Sequence, residues 1–80
     1  MNRDEVFKKL NEIFCDVFDD EDIVLTDATT ADDIDDWDSL EQINIINICE
    51  TKFNIKFNMK EVSSLKNVGE MVDMILSKLQ

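Results

Sequence analysis

The sequence predicts an all-α protein: a small up-down helical bundle of three longer helices plus one short helix, with a long loop between helices one and two. Apolar residues recur at spacings of three and four along most of the chain, the signature of helices with one buried face. Four times an Asn or Asp is followed three residues later by Glu just before an apolar stretch, the pattern of a helix start. The chain holds no Pro and a single Gly, Gly69, so little interrupts helical runs.

The first helix covers residues 6 to 18, where Val6, Phe7, Leu10, Ile13, Phe14, Val17 and Phe18 form one apolar stripe, and Asn2 with Glu5 supplies its capping box. The second runs from about Ser39 to Lys52 behind Asp38 and Glu41. Its apolar residues, Leu40, Ile43, Ile45, Ile46, Ile48, Cys49 and Phe53, make a stripe wider than one packing surface needs, so its edge is free for another use. Residues 59 to 64 allow one or two turns behind Asn58 and Glu61. The last helix carries Val68, Met71, Val72, Ile75, Leu76 and Leu79 behind Asn67 and Glu70. Each cap contributes about 0.5–2 kcal/mol, which matters in a domain this small. The connection from Asp19 to Trp37 is long enough to carry function or packing of its own, and Ile23, Val24, Leu25, Ile34 and Trp37 are expected to pin it to the bundle.

Eighty residues make one domain, spanning 1–80, with no room for a cleft between domains. No apolar run approaches the ~20 residues of a membrane span, and the polar start lacks the basic and apolar segments of a secretory signal, so a cytoplasmic, soluble monomer is expected. Cys15 and Cys49 each fall in an apolar helical pattern and are expected to stay reduced as small hydrophobes.

The formal charge of −11 argues against nucleic acid and anionic membranes as partners. Fourteen carboxylates and no Lys or Arg lie between Leu10 and Thr51, while all eight basic residues lie outside that window. The ordinary reading is a solvated acidic face; the functional one is attraction to basic partners. With no His and no Tyr, the usual general base and the commonest metal ligand are absent, which argues against catalysis and gives no catalytic or metal-ligating residue. Asp33, Asp35 and Asp38 alternate like calcium ligands. Counting from Asp33, however, the sixth position is Asp38 and the twelfth Asn44, where an EF-hand loop needs Gly and Glu, so only weak, non-specific cation binding is expected.

The remaining feature is Trp37-Asp38-Ser39-Leu40, which sets a Ser in the first turn of a helix directly after the long loop. A hydroxyl there is reachable, and the positive helix end favours an anion built on it. Asp38 as a plain cap with an ordinary first-turn Ser explains the tetrapeptide equally well. Over nearly its whole length, though, the chain resembles the acyl carrier proteins. Asp38-Ser39-Leu40 matches that family's attachment motif, Glu41 through Ile55 follows its second helix and exit, and the alignment continues without a gap to Val68. The resemblance implies a covalent 4'-phosphopantetheine, taken from coenzyme A by a phosphopantetheinyl transferase, on Ser39. It implies partner enzymes that load and process acyl groups on the arm's thiol, docking basic surfaces on Asp38, Glu41 and Glu50, with Leu40 and Ile43 giving apolar contact to those partners or to the acyl chain. Asn44 and Thr51 stand where the family often has carboxylates, Asn47 replaces a commonly apolar residue, and Asp36 and Trp37 precede Asp38 where many members have a Gly. These departures fit a stand-alone carrier for a specialised pathway at least as well as a general fatty-acid carrier. A peptidyl or aminoacyl carrier, and an acidic helical protein that imitates nucleic acid, are the alternatives.

Overall fold

The computed structural model describes residues 1–79 and places four helices among them: α1 (Arg3–Phe18), α2 (Ser39–Phe53), the short α3 (Met59–Ser64) and α4 (Val68–Leu79), with one 3-10 turn at Ala31–Asp33 inside the long loop. Helix α1 packs against both α2 and α4. Its buried stripe, Val6, Leu10, Ile13 and Phe14, meets Ile45, Ile46 and Cys49 of α2 and Val68, Met71, Val72 and Ile75 of α4. Side chains of this size contribute roughly 1.5–3 kcal/mol each on full burial, so three helices form the core. Helix α3 buries none of its residues and leans on the bundle through the partly buried Val62.

The expected caps are present but not uniform. Asn2 with Glu5 and Asn58 with Glu61 are reciprocal boxes, each side chain accepting the other residue's backbone N–H at 2.8–3.0 Å. At α2 the cap runs one way: Asp38 Oδ1 accepts the Glu41 N–H at 2.8 Å. At α4, Asn67 Oδ1 accepts the Glu70 N–H at 2.8 Å, but Glu70 reaches back to the Lys66 N–H, at 2.7 Å, one residue beyond the box. At the other ends, Asp19 (φ 50°) and Asn54 (φ 56°) hold the left-handed conformation that closes α1 and α2, a geometry short polar side chains tolerate.

The loop is tied down by polar and apolar anchors together. Asn11 of α1 spans it, with Oδ1 accepting the Leu25 N–H at 2.7 Å and Nδ2 donating to the Ile23 carbonyl at 3.0 Å. This grip turns Leu25 inward and Val24 outward, so Val24, expected among the anchors, is instead 79 % exposed. Farther along, the Asp27 and Thr29 carbonyls accept the N–H groups of Gly69 (3.0 Å) and Val68 (2.8 Å), so the loop itself caps the start of α4. Arg3 then joins three segments by bonding Asp27 in the loop and Asp73 in α4. Trp37 closes the loop by setting its indole edge-on against Phe14, centroids 4.9 Å apart, while its Nε1–H donates to Gln42 Oε1 at 2.7 Å. Both cysteines are free thiols; Cys49 is fully buried and Cys15 only half-buried.

Candidate functional site

The loop anchors fix where α2 begins. Trp37 is buried, the next residue is extended (Asp38, φ −111°), and helical geometry starts at Ser39. Asp38 satisfies the Glu41 N–H with its side chain and the Gln42 N–H with its carbonyl. The first-turn N–H groups of Ser39 and Leu40 have no acceptor within the helix, as at any helix start. Together with the helix dipole they favour a negative group on the Ser39 oxygen, by about 0.3–1 kcal/mol at an exposed site.

Ser39 is exposed, as are Asp35, Asp36 and Asp38 around it. It also lines the mouth of an open cleft of about 540 Å³ between α2 and α3. The cleft wall is mostly apolar, with Trp37, Ile43, Met59, Val62 and Leu65, and its polar lining includes Gln42 and Lys66. A second hollow of about 250 Å³ continues along the same two helices, sharing Ile43, Met59 and Val62 and reaching Phe57.

The site residues read from the sequence fall into two groups. Asp38, Ser39, Leu40, Glu41 and Ile43 gather at the head of α2. Leu40 is 72 % and Ile43 48 % exposed, so neither belongs to the core. Glu41 lends only its backbone N–H to the cap, leaving its carboxylate without an ion pair among the described residues. Glu50 stands apart, two turns and more down the helix, and its Oε2 accepts the Phe57 N–H at 2.8 Å, which ties the α2–α3 connection to α2. Gln42, Met59 and Lys66 also line the cleft, though their sequence pattern does not mark them as site residues. Met59 and Lys66 reach the cleft only because α3 folds beside α2, and one sequence shows no such pairing. Gln42 had a local signal in hindsight: it lies one turn into the helix from the buried Trp37, whose N–H needs an acceptor.

Among the described residues no group of three or more His, Cys, Asp and Glu side chains could hold a metal ion, and no helix is long and apolar enough to cross a membrane. The fold and site thus define a small helical domain that presents one hydroxyl at a helix mouth, beside a cleft and amid negative charge. Comparison with known proteins gives that class its family. The family model for a phosphopantetheine attachment site matches residues 8–75. Acyl carrier protein of Petrotoga mobilis is 36 % identical over 80 residues, covering 99 % of this chain and 93 % of that one, and acyl carrier protein of Thermosynechococcus vestitus is 30 % identical over 80 residues, covering 99 % and 98 %. The solution structure of holo acyl carrier protein from Geobacter metallireducens superposes with a TM-score of 0.88 at 47 % identity, covering 92 % of this chain and 85 % of that one. The crystal structure of acyl carrier protein from Thermotoga maritima gives 0.84 at 24 % identity, covering 99 % and 92 %, a likeness of fold. The chain belongs to the acyl carrier protein family, whose prosthetic group is a covalently attached phosphopantetheine.

The residues present fit such a group. The hydroxyl is open to solvent, first-turn N–H groups lie beside it, and an apolar groove with polar edges opens next to it.

Proposed function

We propose that the chain carries acyl groups as thioesters on a 4'-phosphopantetheine arm attached to Ser39 and presents them to enzymes of fatty-acid, polyketide or another specialised biosynthetic pathway. The observation that carries this reading is the position of Ser39: exposed, in the first turn of α2, and lining an open, mostly apolar cleft of about 540 Å³. The protein is then a substrate. A phosphopantetheinyl transferase joins the Ser39 oxygen to the pantetheine-side phosphorus of coenzyme A; the pyrophosphate bond breaks, adenosine 3',5'-bisphosphate leaves, the hydroxyl proton passes to a base of that enzyme, and the arm's terminal thiol then bears the acyl group.

Recognition by those enzymes rests on the head of α2. Leu40 and Ile43 offer exposed apolar surface, Glu41 offers a carboxylate without an ion pair among the described residues, and Asp38 adds charge beside the attachment point. Steering by complementary charge raises encounter rates and falls with salt, which suits a carrier that visits several enzymes in turn.

Incubation with coenzyme A and a broad transferase, followed by intact-mass measurement, tests the proposal. The chain gains one phosphopantetheine and Ser39→Ala abolishes the gain. An unchanged mass in the wild type, or an unchanged gain in Ser39→Ala, overturns it.

A further inference from the structure

We infer that Trp37 and Gln42 form a positioning pair that holds the arm on Ser39 in the cleft between α2 and α3, with the Gln42 carboxamide N–H₂ donating to an amide carbonyl of the arm. This rests on Ser39 as the attachment point and specifies where the arm lies when no enzyme holds it.

The orientation of Gln42 follows from hydrogen-bond chemistry. An indole N–H only donates, so the carboxamide must turn its oxygen toward Trp37, and the 2.7 Å contact is between those two atoms. The Nε2 end is thereby directed away from the indole, and no acceptor among the described residues takes its two hydrogens. Trp37 is itself fixed, 9 % exposed and edge-on to the fully buried Phe14, so the carboxamide is held rather than free to rotate. A half-buried Gln thus offers two oriented donors in the wall of a cleft that opens at Ser39.

The remaining cleft wall matches the arm in order of chemistry. Past its phosphodiester, phosphopantetheine has a branched dimethyl carbon, then two amides separated by short methylene links, then the thiol. Ile43, Met59, Val62 and Leu65 provide apolar surface for the methyls and methylenes, and Met59, 73 % exposed and unbranched, adjusts to them without strain. Lys66, at the cleft edge, has no carboxylate within ion-pair distance among the described residues. Because the arm is tethered at the mouth of the groove, its effective concentration there is high, and weak contacts suffice to populate the docked form.

The test compares apo and arm-bearing protein by NMR after intact mass confirms attachment. The chain has one Trp, so its indole N–H gives a single unambiguous signal. Arm attachment is expected to shift that signal and the Gln42 side-chain N–H₂ pair. It should also produce nuclear Overhauser contacts from the arm's two methyls to methyls of Ile43, Met59, Val62 or Leu65. In arm-bearing Gln42→Leu and Trp37→Phe these contacts are lost and the arm's lines narrow toward those of free coenzyme A, while the dispersion of the core methyls reports that each variant is folded. If confirmed attachment leaves the wild-type Gln42 pair unshifted and the arm without contacts, or if Gln42→Leu keeps every contact, the positioning role is overturned. A mass that never changes overturns the attachment at Ser39 instead, so the two failures are told apart by the first measurement.

Discussion

Gly69 lies directly against Asp27: its N–H donates to the Asp27 carbonyl at 3.0 Å, and a Cβ placed on it would stand 2.9 Å from that carbonyl oxygen and 2.7 Å from Asp27 Oδ1. The single glycine of the chain is thus the point where the first turn of α4 meets the backbone of the long loop. Gly69→Ala should gain up to about 1 kcal/mol of helix propensity. It must also push the loop backbone away, at about 1–3 kcal/mol. The carboxylate can swing aside but the carbonyl cannot, so the steric cost wins. We predict a net loss of about 1–2 kcal/mol by urea denaturation. Equal or higher stability would show that the loop moves freely.

The same loop residue is held by Arg3, which makes part of the fold pH-dependent. The hydrogen bond from Arg3, with its charge, holds the Asp27 carboxyl below the usual aspartate range. A depressed folded-state pKa stabilises the native protein above the unfolded value and loses that contribution as pH falls through the folded value. Arg3→Gln should therefore lower Tm at pH 7, and the gap between wild type and variant should close as pH drops below about 4. The group is exposed, so the effect is modest and smaller still in high salt. Tm series at pH 7 and pH 3 would contradict this if the gap widened in acid.

Much of the architecture was legible because it rests on local rules. Helical spacing and caps depend on residues three and four apart, so all four helices start where Asn2, Asp38, Asn58 and Asn67 indicate. What one sequence did not show depends on distant partners. Asn11 looks like an interruption in an amphipathic helix until the loop folds over it, and its grip decides that Leu25 rather than Val24 points inward. Glu70 passes the Asn67 backbone to reach the Lys66 N–H. Asp38 and Ser39 were legible as a cap and a first-turn hydroxyl, whereas the cleft beside them was not, because it exists only where α3 lies along α2. Glu50 shared the pattern of an exposed docking carboxylate, yet its bond to Phe57 gives it structural work that nothing in its own helix announces.

Cys49 gives a clean reporter of whole-domain opening. It is fully buried, and desolvation, with a smaller effect from the Glu50 charge, pushes its thiol pKa up to about 12. Alkylation requires thiolate, so at pH 8 on the order of one molecule in ten thousand would be reactive even without the steric block. Cys15, half-buried on α1, should be modified first by iodoacetamide, with Cys49 following only at the rate of global unfolding. Mass mapping over time checks the order. Modification of Cys49 at the rate of Cys15 would mean that the contact between α1 and α2 opens locally.

The different engagements of Glu41 and Glu50 make charge reversal on α2 a test with two separable outcomes. The Glu41 side chain makes no bond within the described fold, so Glu41→Lys should leave stability within about 0.5 kcal/mol and slow arm attachment several-fold at low salt. Added salt should narrow that difference. Glu50→Lys removes the acceptor for the Phe57 N–H and should cost about 1–2 kcal/mol besides any effect on docking. Glu50→Gln supplies the control: a neutral carboxamide oxygen still accepts from Phe57, so it should retain most of the stability while lacking the charge. If Glu50→Gln is folded and slows the transferase as much as Glu41→Lys, partners read charge along the length of α2. If only Glu41→Lys is slow, docking is confined to the head of the helix, where Asp38, Leu40 and Ile43 surround Ser39. Unchanged rates in all three variants at low salt would remove electrostatic docking on α2 altogether.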